Sequence, residues 1–171
     1  MKRPITAKIV EMEKWKKLLI PRTTKYEMMK KKMPEKAEPW LIEEVSKLSR
    51  SPLLEERMKS IQIIGKTFKS LGEKSRLETL KIFRRTAEDK EIMVRQRTAL
   101  TLGETKYSKT LSILEKMSAD NKSRVRSCAV FALEKMGSGA LPVLERIVKK
   151  EKNPVVLHRV RIAIEKIKGI R

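Results

Sequence analysis

Apolar residues recur at helical spacing through most of this chain. One apolar stripe, at positions i, i+4, i+7 and i+8, runs from Val94 to Leu102, and a second runs from Leu111 to Met117. Such stripes are typical of amphipathic helices, and two of them in succession predict a helical hairpin. No segment shows the alternation of apolar and polar residues that a half-buried strand requires. The pattern therefore predicts an all-α protein.

The predicted hairpin recurs along the chain. The heptad LSILEKM at Leu111 returns thirty residues later as LPVLERI at Leu141. The helix before each heptad is repeated as well, with a period of thirty-one: DKEIMVRQRTALTLGE begins at Asp89, DNKSRVRSCAVFALEK at Asp120 and EKNPVVLHRVRIAIEK at Glu151. Repetition at a fixed period of this length indicates a stacked-repeat architecture.

A more divergent copy precedes these repeats, with SPLLEERMKSIQIIGK from Ser51 and LETLKIF from Leu77. A hairpin of this size cannot bury its apolar face alone, so neighbouring hairpins must stack into an α-solenoid. We predict about three and a half repeats, the last half repeat capping the end: residues 51–88, 89–119, 120–151 and 152–171.

Capping side chains followed by proline mark two of the predicted helix starts. Ser51 precedes Pro52, and Asn153 precedes Pro154. A side-chain oxygen can cap the first helical amides, and proline is tolerated where an amide has no intrahelical partner. The segment GSGA at 137–140 predicts a turn between helices.

Residues 1–50 do not follow the repeat. The pattern predicts a helix over residues 6–20, a basic and proline-punctuated stretch over 21–39, and a helix over 40–48 that leads into the first repeat. Up to Lys36 this segment has twelve basic residues and four acidic ones. It is therefore predicted to be a basic helical N-terminal extension, or arm.

Composition narrows the class of partner. The chain of 171 residues has 42 Lys and Arg against 21 Asp and Glu, which gives a formal net charge of +21. Such an excess favours a polyanionic partner. The single cysteine excludes an intrachain disulfide and indicates a reducing compartment. With no apolar run of signal-peptide or membrane-helix length at the start, we expect a soluble cytoplasmic protein that does not bind membranes. Few Asn, Gln and Cys beside abundant Lys, Arg, Glu and Ile is a thermophile-like balance.

The repeated helix carries a recognisable pattern: an acidic residue, four letters, then VR, then small residues and leucine. Over residues 51–171 this resembles the HEAT-repeat superfamily in its short, phycobilisome-lyase-like form. The resemblance implies a right-handed curved solenoid whose first helices lie outside and whose second helices line the inner surface. It also implies that an acidic residue and an arginine tie neighbouring repeats together, here Asp89, Arg95, Asp120 and Arg126. The last copy has Leu157 in place of the arginine.

Candidate catalytic residues are few, and we predict no catalytic site, metal, cofactor or small-molecule substrate. The only histidine, His158, occupies a position held elsewhere by the polar residues Gln96 and Ser127, so we expect it on the surface. Cys128 lies beside the small-residue stripe, without a second histidine or cysteine to activate it, and is expected to be inert. The chain has no glycine-rich phosphate loop. It also lacks the His-Glu dipeptides that a di-iron enzyme resembling deoxyhypusine hydroxylase would need.

Several basic clusters are the candidate contacts for a nucleic acid. Arg85 and Lys149 lie near the ends of their predicted second helices, and Lys116 and Arg146 hold matching positions in adjacent repeats. Low aromatic content argues against base stacking on single strands and favours recognition of shape and backbone. The predicted contacts are Lys14, Lys16, Lys17, Lys30, Lys31, Lys32, Arg84, Arg85, Lys116, Arg146, Lys149 and Lys150.

The leading hypothesis is a non-catalytic factor that binds structured RNA, on a ribosome or another ribonucleoprotein, with DNA as a second possible nucleic acid. The main alternative is an adaptor that grips an acidic protein partner. A third alternative is a HEAT-like DNA-binding protein or alkylpurine DNA glycosylase. Such glycosylases rely on aromatic and acidic residues in their cleft, whereas both tryptophans of this chain precede the repeats.

Overall fold

The computed structural model describes residues 38–170, and these residues contain eight α-helices and no β-strand. The predicted all-α solenoid of helical hairpins is confirmed. In chain order the helices are α1 (Glu38–Leu48), α2 (Leu54–Thr67), α3 (Glu73–Ala87), α4 (Ile92–Thr105), α5 (Leu111–Met117), α6 (Ser123–Met136), α7 (Leu141–Lys150) and α8 (Pro154–Lys168). Single 3₁₀ turns at Phe68–Ser70, Ser108–Thr110 and Gly137–Ala140 lie between the two helices of each hairpin.

Each hairpin pairs a first helix with a second helix. The first helices are α2, α4 and α6, the second helices are α3, α5 and α7, and α8 is a first helix at the C-terminal end of the stack. The apolar stripes form one continuous core, in which Val94, Leu102, Leu114, Val125, Leu133 and Leu144 are fully buried.

Helix α1 is part of this core, although it lies in the segment that the sequence assigns to the extension. It packs against α2 and α3, and its Leu41 and Val45 are buried. Helix α1 therefore covers the N-terminal end of the first hairpin. The predicted helix over residues 6–20 and the rest of the basic arm up to residue 37 lie outside the described residues.

Of the two predicted helix caps, one is confirmed and one is wrong. Asn153 caps α8 as predicted, because its Oδ1 accepts hydrogen bonds from the amides of Val155 and Val156 at 3.0 and 3.2 Å. Ser51 does not cap a helix, since α2 begins only at Leu54. The reason lies in Arg57, whose Nη1 donates to the carbonyl oxygens of Ser51 and Pro52 at 3.0 and 2.9 Å and holds this stretch outside the helix.

First helices pack more closely than second helices. Neighbouring first helices contact each other along much of their length, whereas the second helices α3, α5 and α7 touch at few positions. Small residues permit the close approach, because a Cβ atom built on Gly65 would lie 2.9 Å from Cγ2 of Thr101, and one built on Gly103 only 2.7 Å from Cα of Ala132. The backbones of α4 and α6 therefore meet almost directly.

This difference in spacing decides the direction of curvature. A stack whose units are closer on one side is wedge-shaped, and it bends toward the side with the smaller spacing. The first helices therefore form the inner layer. The expectation that second helices line the inner surface is wrong, because the small residues Gly65, Gly103 and Ala132 lie between first helices.

Candidate nucleic-acid interface

Three bidentate ion pairs connect successive repeats and form what we call the arginine ladder. In each pair the arginine Nε donates to a carboxylate oxygen at 2.7 Å, and the Nη2 donates to the other oxygen at 3.0–3.2 Å. The pairs are Arg57 with Asp89, Arg95 with Asp120, and Arg126 with Glu151. The predicted structural role of the acidic residue and the arginine is confirmed, and the ladder extends it to Arg57 and Glu151.

Each arginine also binds the loop that precedes its own helix. The Nη1 of Arg95 donates to the carbonyl oxygens of Asp89 and Lys90 at 2.8 and 3.2 Å. The carboxylate of Asp120 accepts in addition the amide of Lys122 at 2.8 Å. One guanidinium thus ties the loops of two repeats together, and it is not available to an outside ligand.

Both members of the central pair stay charged. Burial alone would raise the pKa of Asp120, but the hydrogen bonds from Arg95 and the Lys122 amide, with the charges of Arg95 and Arg126, hold that pKa below its ordinary value. The hydrogen bond to Asp120 is the main cause that raises the pKa of Arg95. This central pair is therefore ionic at neutral pH.

A second set of ion pairs lies on the exposed side of the second helices, and it includes two of the predicted contacts. Lys116 pairs with Glu88 of the preceding repeat. Arg146 pairs with Glu115 through two hydrogen bonds of 2.7 and 2.9 Å, which lower the pKa of that carboxyl. The positive charges of Lys116 and Arg146 are therefore matched within the protein.

The other described candidates lie at the C-terminal ends of second helices. Arg84 is exposed, but Arg85 is half-buried and donates to Oγ of Ser49 at 2.8 Å. Lys149 and Lys150 are exposed in the last turn of α7. Cations at this place also interact favourably with the helix dipole, which gives them a structural role of their own. The remaining candidates lie outside the described residues: Lys14, Lys16, Lys17, Lys30, Lys31 and Lys32.

The structure reveals a basic surface that the charge clusters of the sequence do not mark. A groove of about 730 Å³ runs across the first helices α2, α4 and α6, and we call it the basic groove. Its floor includes Gly65, Thr101 and Gly103, the residues of the tight helix contacts. Glu104 is the single carboxylate among the lining residues. The cations of the basic groove are Lys66, Lys69, Arg97, Lys106 and Lys135.

The register of the repeats contains a signal for this groove. Counted from the ladder arginines, Arg97 corresponds to Lys59 of the first repeat, and Lys135 corresponds to Lys66. Polar residues at the same two places in successive first helices indicate one exposed face. The family resemblance implies that the first helices lie on the outside, which places this face on the convex side of the solenoid. For that reason the sequence alone does not identify the face as a concave binding surface.

A second groove, of about 530 Å³, lies beside the first between α4, α6 and α8. Leu100, Phe131 and Val155 contribute apolar surface, and Arg124 and Arg159 lie among the same lining residues. We call it the mixed groove. It brings together apolar area and positive charge on the inner layer.

The two residues with catalytic potential have the environments that the sequence predicts. Cys128 lines the mixed groove half-buried, and burial raises the pKa of its thiol, which keeps it protonated near neutral pH. His158 is exposed on α8. Within residues 38–170, no three His, Cys, Asp or Glu side chains lie close enough together to hold a metal ion. None of the helices in this range combines the length and the apolar character needed to cross a membrane.

Comparison with known proteins agrees with the geometry of the arginine ladder and the stacked hairpins. The family model for HEAT repeats matches residues 42–134 and, in a second overlapping placement, residues 80–165. No curated protein matches the chain. The two placements together span most of the sequence and nearly all of the described solenoid, and the chain belongs to the HEAT-repeat family.

Proposed function

We propose that this protein is a non-catalytic binding factor that docks on structured RNA, in the cytoplasm and on a ribosome or another ribonucleoprotein. HEAT repeats generally serve as non-enzymatic scaffolds for macromolecular interactions. The observation that supports RNA as the partner is the distribution of charge on the solenoid. Residues 38–170 contain 29 Lys and Arg against 17 Asp and Glu.

Several cations lie together on the inner layer, where a partner could reach them. Exposed glutamates of the second helices are mostly matched, as in the pairs of Glu88 with Lys116 and Glu115 with Arg146. The basic groove of the inner layer instead brings five cations and one carboxylate together. Dense positive charge on a concave surface attracts phosphate without reading sequence. The twelve basic residues of the arm would add contacts along the same polyanion.

A specific observation favours a second candidate, an adaptor for an acidic protein. The mixed groove exposes apolar surface, including Val155 at 70% exposure, next to Arg124 and Arg159. An acidic amphipathic helix would match this combination, because its apolar residues could cover the groove and its carboxylates could pair with the arginines. Such a partner would bind with weaker dependence on salt than RNA.

Purification of the full chain at low salt distinguishes the two candidates. An RNA factor should carry nucleic acid, with a raised ratio of absorbance at 260 to 280 nm that falls only after a wash in high salt. Titration with a structured RNA should then give an affinity that falls steeply with salt, by about 0.7–0.9 log units per log unit of salt for each phosphate contacted. A stable complex with an acidic protein, and no binding of RNA or DNA at low salt, would contradict the proposal.

A further inference from the structure

The basic groove has the form of a binding site rather than of a solvated helix face. Its cations come from three successive repeats: Lys66 and Lys69 from the end of α2 and the turn after it, Arg97 and Lys106 from α4 and its end, and Lys135 from α6. Packed helices lie about 8–10 Å apart, so three of them spread these charges over about 20 Å. The groove floor is low because Gly65 and Gly103 have no side chains.

Most of these cations are not neutralised by the protein. Lys69, Arg97 and Lys106 make no ion pair within residues 38–170. The Nζ of Lys135 lies 4.9 Å from the ring centroid of Phe131, where it keeps its charge. The turn that carries Lys69 is held in place, because Arg76 donates to the carbonyl oxygens of Phe68 and Lys69 at 3.3 and 2.9 Å.

Lys106 provides independent support for a ligand. It ends α4 in the left-handed conformation, with φ of 50°, and it is the single residue other than glycine with a positive φ in the described range. Glycine is the favoured residue at this place, since a side chain there costs about 1 kcal/mol. A lysine at a position that favours glycine contributes positive charge to the groove at the expense of stability.

The lining residues also indicate which part of a nucleic acid the groove contacts. They include no aromatic ring, so bases have no aromatic side chain to stack on there. A small phosphorylated ligand would require cations that converge on one point, whereas these are spread across three helices. A duplex carries about one phosphate charge per 1.7 Å of its axis, so about 20 Å of duplex presents on the order of ten phosphates.

We propose that the basic groove binds the phosphodiester backbone of double-helical RNA, an inference that rests on the proposed function and assigns its site. Phosphates lie along the groove and are neutralised by the lysines and by Arg97. Bases face away from the protein, so binding depends on helix shape and charge rather than on sequence.

The test compares two double variants of the full chain that change the net charge equally. Lys69→Glu with Arg97→Glu reverses two groove cations, and Lys74→Glu with Lys81→Glu reverses two exposed lysines of α3 in the second-helix layer. Each is titrated with a 20-base-pair RNA duplex, and with DNA of the same sequence, at several KCl concentrations. We expect the affinity of the groove variant to fall at least about tenfold, and its salt slope to fall by about one for each phosphate that it no longer neutralises. The α3 variant should stay close to the parent.

A third variant guards against misfolding as an explanation. Lys106→Gly should weaken binding of the RNA duplex while the Tm stays equal to that of the parent or rises, because glycine relieves the left-handed backbone. Reduced affinity with a lowered Tm would indicate a structural role for Lys106 and would remove it from the site.

The outcomes separate this inference from the proposed function. If the parent binds RNA but both double variants lose the same affinity, the groove is not the binding site, and the proposed function survives elsewhere on the surface. If the parent binds a structured RNA but neither duplex, the assignment of the groove to double-helical RNA fails and the proposed function survives; if it binds none of the three, both proposals fail. Equal affinity for RNA and DNA through the groove would overturn the assignment to RNA.

Discussion

The two helix layers of this solenoid differ in how their charged side chains are paired. In the second-helix layer, Lys116 and Arg146 pair with glutamates of the neighbouring repeat, and exposed cations such as Lys149 lie at the ends of separate helices. In the first-helix layer, the arginines at the helix starts are buried in the ladder, whereas Arg97 in α4 and Lys106 at its end face an open groove and make no ion pair within residues 38–170. The inner layer thus brings these cations, which have no ion pair in the described part of the chain, together around one groove.

The ion pairs that hold the repeats together are therefore different from the cations that are available to a partner. Exposed pairs in the second-helix layer are screened by water and contribute little to stability. The buried ladder in the first-helix layer holds the repeats in order, and the tight Gly103 contact sets their spacing. The same close spacing brings the groove cations together, so the layer that stabilises the stack also forms the candidate interface.

The largest expected effect is on the ladder. Asp120→Ala leaves the guanidinium of Arg95 without its carboxylate at a place where both side chains are 10% exposed. We expect a loss of about 3 kcal/mol in the free energy of unfolding, the lower end of the range for breaking a buried pair, because Arg95 keeps its carbonyl hydrogen bonds. Thermal unfolding followed by circular dichroism should show a Tm lower by about 10 °C. Glu78→Ala, which breaks the exposed pair with Lys81, is the control and should leave the Tm unchanged.

A smaller effect is expected from the close approach of first helices. Gly103→Ala places a methyl group 2.7 Å from Cα of Ala132, so α4 and α6 must move apart. We expect a loss of about 1–3 kcal/mol in the free energy of unfolding. Gly139→Ala is a matched control, because a Cβ there meets no atom within 4 Å. Equal Tm values for the two variants would show that α4 and α6 are not as closely packed as described.

The smallest effect is expected in the second-helix layer. Arg146→Gln removes an exposed ion pair with Glu115, and we expect a Tm close to that of the parent because solvent screens this pair. Affinity for RNA should also change little, since the charge of Arg146 is matched by Glu115. An affinity loss as large as that of Arg97→Gln would show instead that the second-helix layer contacts RNA, and the contrast between the layers would disappear.

The ladder and the groove differ in how far the sequence could predict them. Asp89 and Asp120 recur at a fixed period before helices that carry an arginine at a fixed place, so their pairing follows from repetition and family resemblance alone. The basic groove has no comparable motif. Lys69 and Lys106 lie at helix ends, where the repeats differ in length. The next repeat has no lysine at the position equivalent to either of them.

Isolated charge clusters in the sequence were a weaker guide to the interface. Lys116 and Arg146 stand out as matching cations of adjacent repeats, but stacking sets each of them beside a glutamate of the preceding repeat. Arg85 looks like part of an exposed cluster, yet it turns toward Ser49 because α1 packs over the first hairpin. A linear count of charge does not record which acidic side chain another repeat brings near.

The sequence by itself determined the repeated hairpin, the buried stripes and the arginine ladder, because helical period and repeat period are local properties of the chain. Only the tertiary structure decided which layer lies inside. That choice depends on how closely helices approach, and the approach is set by contacts between residues of different repeats, such as Gly103 with Ala132. The position of the basic groove follows from the same contacts, since the small residues that draw the first helices together also leave room for the cations around them.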